Sequence, residues 1–186
     1  MPNAPSPPTT PSIPNPAESW AEVRAHDHVT RYRRLGTGRA VLLLGAARDG
    51  ATDRGVPDEE PPLWPELSGA IAARFRLIVP EMPAATACAD VAVWLADFLE
   101  GLGTSGVSVV ATDRLCMPAL ELALRDAEQV ARVVLVARGR AEEPGLGGRL
   151  ATATRQAVVP LLVVRRALPA AEALPLVTRF LAGDGG

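Results

Sequence analysis

The stretch VSVVATDRLCMPALELALRDA, residues 107–127, decides the fold. Its first five residues, Val107 to Ala111, are apolar or small, too few for a helix, and suit a strand buried on both faces. From Met117 to Ala127 the apolar residues Leu120, Leu122, Ala123 and Leu124 follow helical spacing. A strand therefore runs into a helix through a short polar link, Thr112-Asp113-Arg114. The same alternation repeats in both directions along the chain.

Upstream, Thr30 to Leu35 reads as a strand, ended by the turn Gly36-Thr37-Gly38. Ala40 to Leu44 (AVLLL) is a second buried strand, and residues 46–62 are a polar, Gly/Pro-rich loop. Trp64, Leu67, Ile71 and Phe75 form a helical stripe, followed by the strand Arg76 to Val79. Asp90 to Leu102 is a helix with Val91, Trp94, Leu95, Phe98 and Leu99 on one side, stopped by Gly103. Downstream, Val133 to Val136 is a strand and residues 138–148 a charged loop. Leu150 to Ala157 is a short helix, Leu161 to Val164 the last strand and Ala170 to Leu181 the last helix. This order predicts an α/β fold with a doubly wound, mostly parallel sheet. Its ligand crevice should lie beyond the carboxyl ends of the strands, where Gly45, Pro80, Thr112, Ala137 and Arg165 follow.

Composition sets further bounds. The 186 residues allow one domain, expected over residues 18–186, after a tail over residues 1–17. Seven of the first sixteen residues are proline, so that tail is expected to be disordered or polyproline-like. The formal net charge of −2 gives no general attraction to nucleic acid or to an anionic membrane. All nineteen Lys+Arg residues are arginine, a bias that a GC-rich coding sequence produces. The two cysteines, Cys88 and Cys116, sit among apolar residues and read as buried thiols. No apolar run reaches the ~20 residues of a membrane span, and the N-terminus has no secretory signal pattern. A cytoplasmic protein is expected. The pair His26 and His28 lacks further ligands in metal spacing, and there is no GxGxxG or GxxxxGK[ST] loop, so neither metal nor cofactor is expected.

Taken together, RYRRLGTGRAVLLLG, WPELSGAIAARFRLIVPEMP, the segment DVAVWLADFLEGLGTSGVSVVATDRLCMPALELALRDAEQVARVVLV, VVPLLVV and ALPLVTRFLAG resemble, in order and spacing, the α/β-hydrolase superfamily over residues 29–183. The first of these is similar to the family's opening hairpin, whose strand ends in a His-Gly pair. The departures are specific. Leu44 stands where that histidine would be, and Gly45 keeps the glycine. The nucleophile elbow, Gly-x-nucleophile-x-Gly in the family, aligns with Ala111-Thr112-Asp113-Arg114-Leu115. Both glycines are replaced, and Asp113 holds the nucleophile position. RRALPAAEALP joins the last strand almost directly to the last helix. The resemblance thus implies a truncated member without cap, eighth strand or catalytic histidine, since His26 and His28 precede the first expected strand.

Aspartate at the elbow resembles that of haloalkane dehalogenases and soluble epoxide hydrolases, where it attacks carbon to form an ester. Without a histidine base that ester would persist, so an Asp-nucleophile hydrolase ranks third among the functions. Asp113 equally suits a helix N-terminal carboxylate, or an acid/base and hydrogen-bonding group. Glu81, after the strand RLIVP, is a second acid/base candidate if burial raises its pKa. The resemblance places oxyanion-hole amides at Ala46 and Arg114. Arg48, Arg138 and Arg165 follow strand ends and can pair with Asp113 or an anionic ligand, while Met82, Cys116 and Met117 are expected to line the crevice.

Two functions follow. One is a non-hydrolytic enzyme of bacterial specialised metabolism that orients an apolar, polyketide-like small molecule for cyclisation or rearrangement. The other is a catalytically inactive scaffold, whose shortened sheet edge is covered by a second copy or a partner enzyme.

Overall fold

A computed structural model describes residues 19–25, 28–45, 64–82, 88–112, 115–137, 146–156, 159–165 and 167–183. The expected tail over residues 1–17 lies outside them. The elements run β1 (Ser19–Ala25), β2 (His28–Leu35), β3 (Ala40–Leu44), α1 (Trp64–Ala72), β4 (Arg76–Pro80), α2 (Cys88–Gly101), β5 (Val107–Thr112), α3 (Cys116–Arg125), β6 (Val130–Ala137), α4 (Leu146–Gln156), β7 (Leu161–Arg165) and α5 (Ala170–Ala182). They form a seven-stranded sheet in the order β1-β2-β4-β3-β5-β6-β7. Strands β4, β3, β5, β6 and β7 are parallel, and β1 and β2 antiparallel.

The strand alternation divides the core in two. Leu42, Leu44, Val109, Ala111, Val133 and Leu135 face one way and pack with Leu95, Phe98 and Leu99 of α2 and Ala119, Leu120 and Ala123 of α3. Val41, Leu43, Val110, Val134 and Val136 face the other way, against Leu67 and Ile71 of α1 and Ala173, Val177 and Leu181 of α5. Phe98 is fully buried between the ring of Trp94, stacked at 5.5 Å, and that of Tyr32, edge-on at 5.8 Å. Full burial of each such large apolar side chain stabilises by about 1.5–3 kcal/mol.

Several expectations change. Strand β1, SWAEVRA, was not foreseen; it pairs with β2 along its whole length, from Ser19↔Arg34 to Ala25↔His28. The resemblance-implied hairpin of β2 with β3 does not form, because β4 lies between them: Arg34 pairs with Ile78 on one side of β4, and Leu42 pairs with Ile78 on the other. The hairpin is β1–β2. Finally, the histidines do not precede the first strand, since β2 opens at His28. The helices expected to reach Phe75 and Ala127 stop at Ala72 and Arg125. At α1 the amides of Arg74 and Phe75 both turn back to the carbonyl of Ile71.

The link from β2 to β3 is tight enough to specify its glycine. Gly36 has φ +69°, and a Cβ there would overlap the carbonyl oxygens of Ala72 and Phe75. Gly36→Ala is expected to lower stability by at least ~2 kcal/mol, since neither the left-handed backbone nor the carbonyls can yield cheaply. Urea unfolding monitored by circular dichroism measures this, and an unchanged midpoint would remove the constraint.

Candidate functional site

The sheet order reverses between β3 and β5. The connection through α1 leads outward to β4 on one face, and that through α2 returns to β5 on the other. In open α/β sheets the crevice opens at this reversal, beyond the carboxyl ends of the strands. Gly45 closes β3 and Thr112 closes β5, and both sit at that point.

Gly45 has φ +116°, and a Cβ on it would collide with the Thr112 hydroxyl oxygen. The two strand ends therefore touch, and only glycine fits. Thr112 is 4% exposed, and its Oγ1 is buried with no hydrogen-bond partner among the described residues. A hydroxyl in that condition forfeits its hydration and costs about 1–3 kcal/mol. The sequence places Thr112 at the opening of a crevice segment without assigning it a role.

The link between β5 and α3 is three residues long. Leu115, at the second glycine position of the resembled elbow, has φ −91° and ψ −4°, a right-handed backbone that needs no glycine. Asp113 and Arg114 lie outside the described residues, as do Ala46, Arg48 and Arg138.

The other expected residues are placed. Cys116 does not line an open crevice. It is fully buried, with its Sγ 3.6 Å from the carbonyl of Ala111 and 3.7 Å from that of Val136. Its thiol binds the start of α3 to the ends of β5 and β6. Glu81 is turned toward the β1–β2 hairpin: its amide donates to the carbonyl of Arg31, and its carboxylate lies 3.8 Å from the Arg31 guanidinium. The side chain is 50% exposed, so the burial that an acid/base role required is not met. Arg31 also reaches Glu22 at 3.8 Å and covers the Trp20 ring at 5.0 Å. Met82 and Met117 are half-buried against the α2/α3 core, and Arg165 is exposed at the end of β7.

His28 opens β2 at the crevice end of the sheet, because β2 runs antiparallel to β4. Three strand spacings separate β2 from β5, roughly 14 Å along the sheet. Among the described residues, no group of three or more His, Cys, Asp or Glu is placed to hold a metal ion. No described helix is long and apolar enough to cross a membrane.

Thr112→Val removes the unpartnered hydroxyl at nearly constant volume. It is expected to leave stability unchanged or raise it by up to ~1 kcal/mol, whereas Gly45→Ala is expected to lower it. Thermal or urea unfolding of both variants checks the contact, and a clear loss in Thr112→Val would mean that the hydroxyl has a partner.

No protein-family model and no curated sequence matches the chain. Solved structures do. A serine hydrolase involved in carbazole degradation, CarC, matches with a TM-score of 0.56 at 19% identity, over 80% of this chain and 80% of that one. A meta-cleavage product hydrolase from Pseudomonas fluorescens IP01 matches with a TM-score of 0.51 at 22% identity, over 64% of this chain and 45% of that one. A membrane phospholipase A described as a bacterial virulence factor matches at 0.51 and 19% identity, over 66% and 40%. The chain thus spans less than half of the latter two structures. Strand order and these likenesses agree: the chain has an α/β-hydrolase-like fold, shortened so that its sheet ends, among the described residues, at the seventh strand.

Proposed function

We propose that this is a non-hydrolytic enzyme, a cytoplasmic protein of bacterial specialised metabolism. It holds a largely apolar, polyketide-like small molecule over the ends of β3, β5 and β6 and promotes its cyclisation or rearrangement. The observation that carries this reading is Gly45. Its left-handed backbone and its contact with Thr112 keep the end of β3 closely fitted to the end of β5, while the neighbouring side-chain position is Leu44 rather than a histidine. A backbone frame kept without hydrolytic side chains favours binding and orientation over bond hydrolysis.

Orientation alone can supply about 7–11 kcal/mol when two reacting groups of one flexible chain are held in near-attack geometry. Asp113 adds proton transfer, worth about 10²–10⁴-fold. It takes a proton from a carbon between two carbonyls. The resulting carbanion attacks a third carbonyl of the same molecule, and the proton returns to the alkoxide oxygen. The step is an isomerisation and needs no co-reactant. An Asp-nucleophile hydrolase fits less well, because His28 stands three strands away.

The test uses a linear aryl poly-β-ketone, with cyclisation followed by liquid chromatography, beside p-nitrophenyl butyrate, styrene oxide and 1-bromobutane. Faster cyclisation than in buffer, cut about 10²-fold by Asp113→Asn, with no turnover of the other three, is the expected result. Multiple-turnover hydrolysis abolished by Asp113→Asn would overturn the proposal, as would cyclisation at the buffer rate.

A second reading, an inactive scaffold or partner-binding protein, is favoured by β7. Among the described residues this strand ends the sheet, and Val163 on it is 46% exposed. An apolar edge of this kind invites pairing with a second copy or a partner enzyme. Light scattering is expected to give a dimer for the wild type and a monomer for Val163→Lys. A monomeric wild type at tens of micromolar would exclude self-pairing.

A further inference from the structure

The sheet has a second edge, far from β7, that the crevice does not use. Strand β1 pairs with β2 on one side, and among the described residues no strand pairs with its other side. Exposed edges are usually kept short, or are interrupted by proline or a bulge. β1 has none of these devices: it is seven residues long, SWAEVRA, contains no proline and keeps one unbroken register with β2. Its inner face is covered, since Val23 is buried in the core beneath α2 and α3. The outer face carries Trp20, Glu22 and Arg24, all exposed. Arg31, opposite Glu22 on β2, marks that face: its guanidinium lies 3.8 Å from the Glu22 carboxylate and 5.0 Å from the Trp20 ring. The core beneath α1 and α5 includes no residue of β1. The edge therefore presents one charge of each sign, Glu22 and Arg24, on one open face.

An edge strand meets a second copy of itself about a two-fold axis normal to the sheet. The two strands then run antiparallel, and residues opposite one another share a face of the sheet. Opposite charges across such a pair stabilise it and like charges oppose it, so the charges select the residue on which the axis falls. Centred on Glu22, two carboxylates face each other, and centred on Arg24, two guanidiniums. Centred on Ala21, Glu22 faces Trp20 of the second copy, and Arg24 faces position 18, before β1 begins at Ser19. Centred on Val23, Glu22 faces Arg24 of the second copy and Arg24 faces its Glu22. Within its own hairpin Arg24 stands opposite Val29, not an acid, and Val29 is 53% exposed. Glu22 has Arg31 on its β2 side and gains a cation on its edge side. This centring also sets Val23 beside its own copy, which continues the covered inner face from one sheet to the next.

We propose that β1 pairs antiparallel with β1 of a second copy, centred on Val23, to form a two-fold dimer with one continuous sheet. The inference uses the edge opposite to β7 and rests on neither functional reading. Sedimentation equilibrium of the full chain tests it, with circular dichroism to check that each variant is folded. The wild type is expected to be dimeric at tens of micromolar. Glu22→Arg and Arg24→Glu each turn both charge pairs between the copies into like pairs, and each is expected to weaken the dimer about tenfold or more. The double variant Glu22→Arg/Arg24→Glu restores opposite pairs and is expected to return to within about threefold of the wild type. It keeps the repulsion from Arg31 that Glu22→Arg introduces inside the hairpin, so its recovery reads only the contact between copies. Glu18→Gln and Asp27→Asn neutralise the acids that adjoin β1, which lie outside the described residues, and are expected to leave the dimer within about twofold. A monomeric wild type would overturn the proposal. So would a dimer indifferent to both single reversals, as pairing through β7 would give, a dimer lost in Glu18→Gln, or no recovery in the double variant.

Discussion

Burial of β5 on both faces is the constraint on which the rest depends. All six of its residues are buried, and its backbone is paired with β3 on one side and β6 on the other. Buried backbone groups must find partners, so both neighbours must be continuous strands, and both faces need a helical cover. That cover is α2 and α3 on one side and α1 and α5 on the other. The constraint also sets the site. A strand so enclosed can emerge only at its ends. Thr112, its last residue, ends at the mouth of the crevice beside Gly45. Cys116 reinforces this, because its thiol reaches the penultimate carbonyls of β5 and β6, those of Ala111 and Val136, at the point where α3 begins.

The same constraint explains what could be read from the sequence. Strands buried on both faces appear as short apolar runs, and AVLLL was recognised at its observed bounds, Ala40–Leu44. Where burial is one-sided the signal weakens. In β1, Val23 is buried while Trp20, Glu22 and Arg24 face out, and the inward positions Ser19 and Ala21 are too small to mark a stripe. The start of β6 was missed for a related reason. Ala131 and Arg132 are half-buried there, and the pairing with β5 shifts register between Val107 and Ser108.

The site was less legible than the fold because its features are contacts between residues distant in the chain. Glu81 was expected at the crevice from its place after β4. Its orientation, however, is set by Arg31, fifty residues earlier, which faces it across the antiparallel pair. The Gly45–Thr112 contact joins the ends of two strands that become neighbours only through the sheet order. No local pattern records either arrangement.

The edge of the sheet and the crevice are also separate in this geometry. The resemblance places the missing eighth strand and histidine beyond β7, at the far edge of the sheet. The crevice is built between β3 and β5, two and three strand positions inward from that edge. The floor of Gly45, Thr112 and the Cys116-tied start of α3 is therefore built without contribution from the edge strand. Stability gave little reason to keep the frame in this form, since Thr112 carries a buried hydroxyl that an isosteric valine would spare.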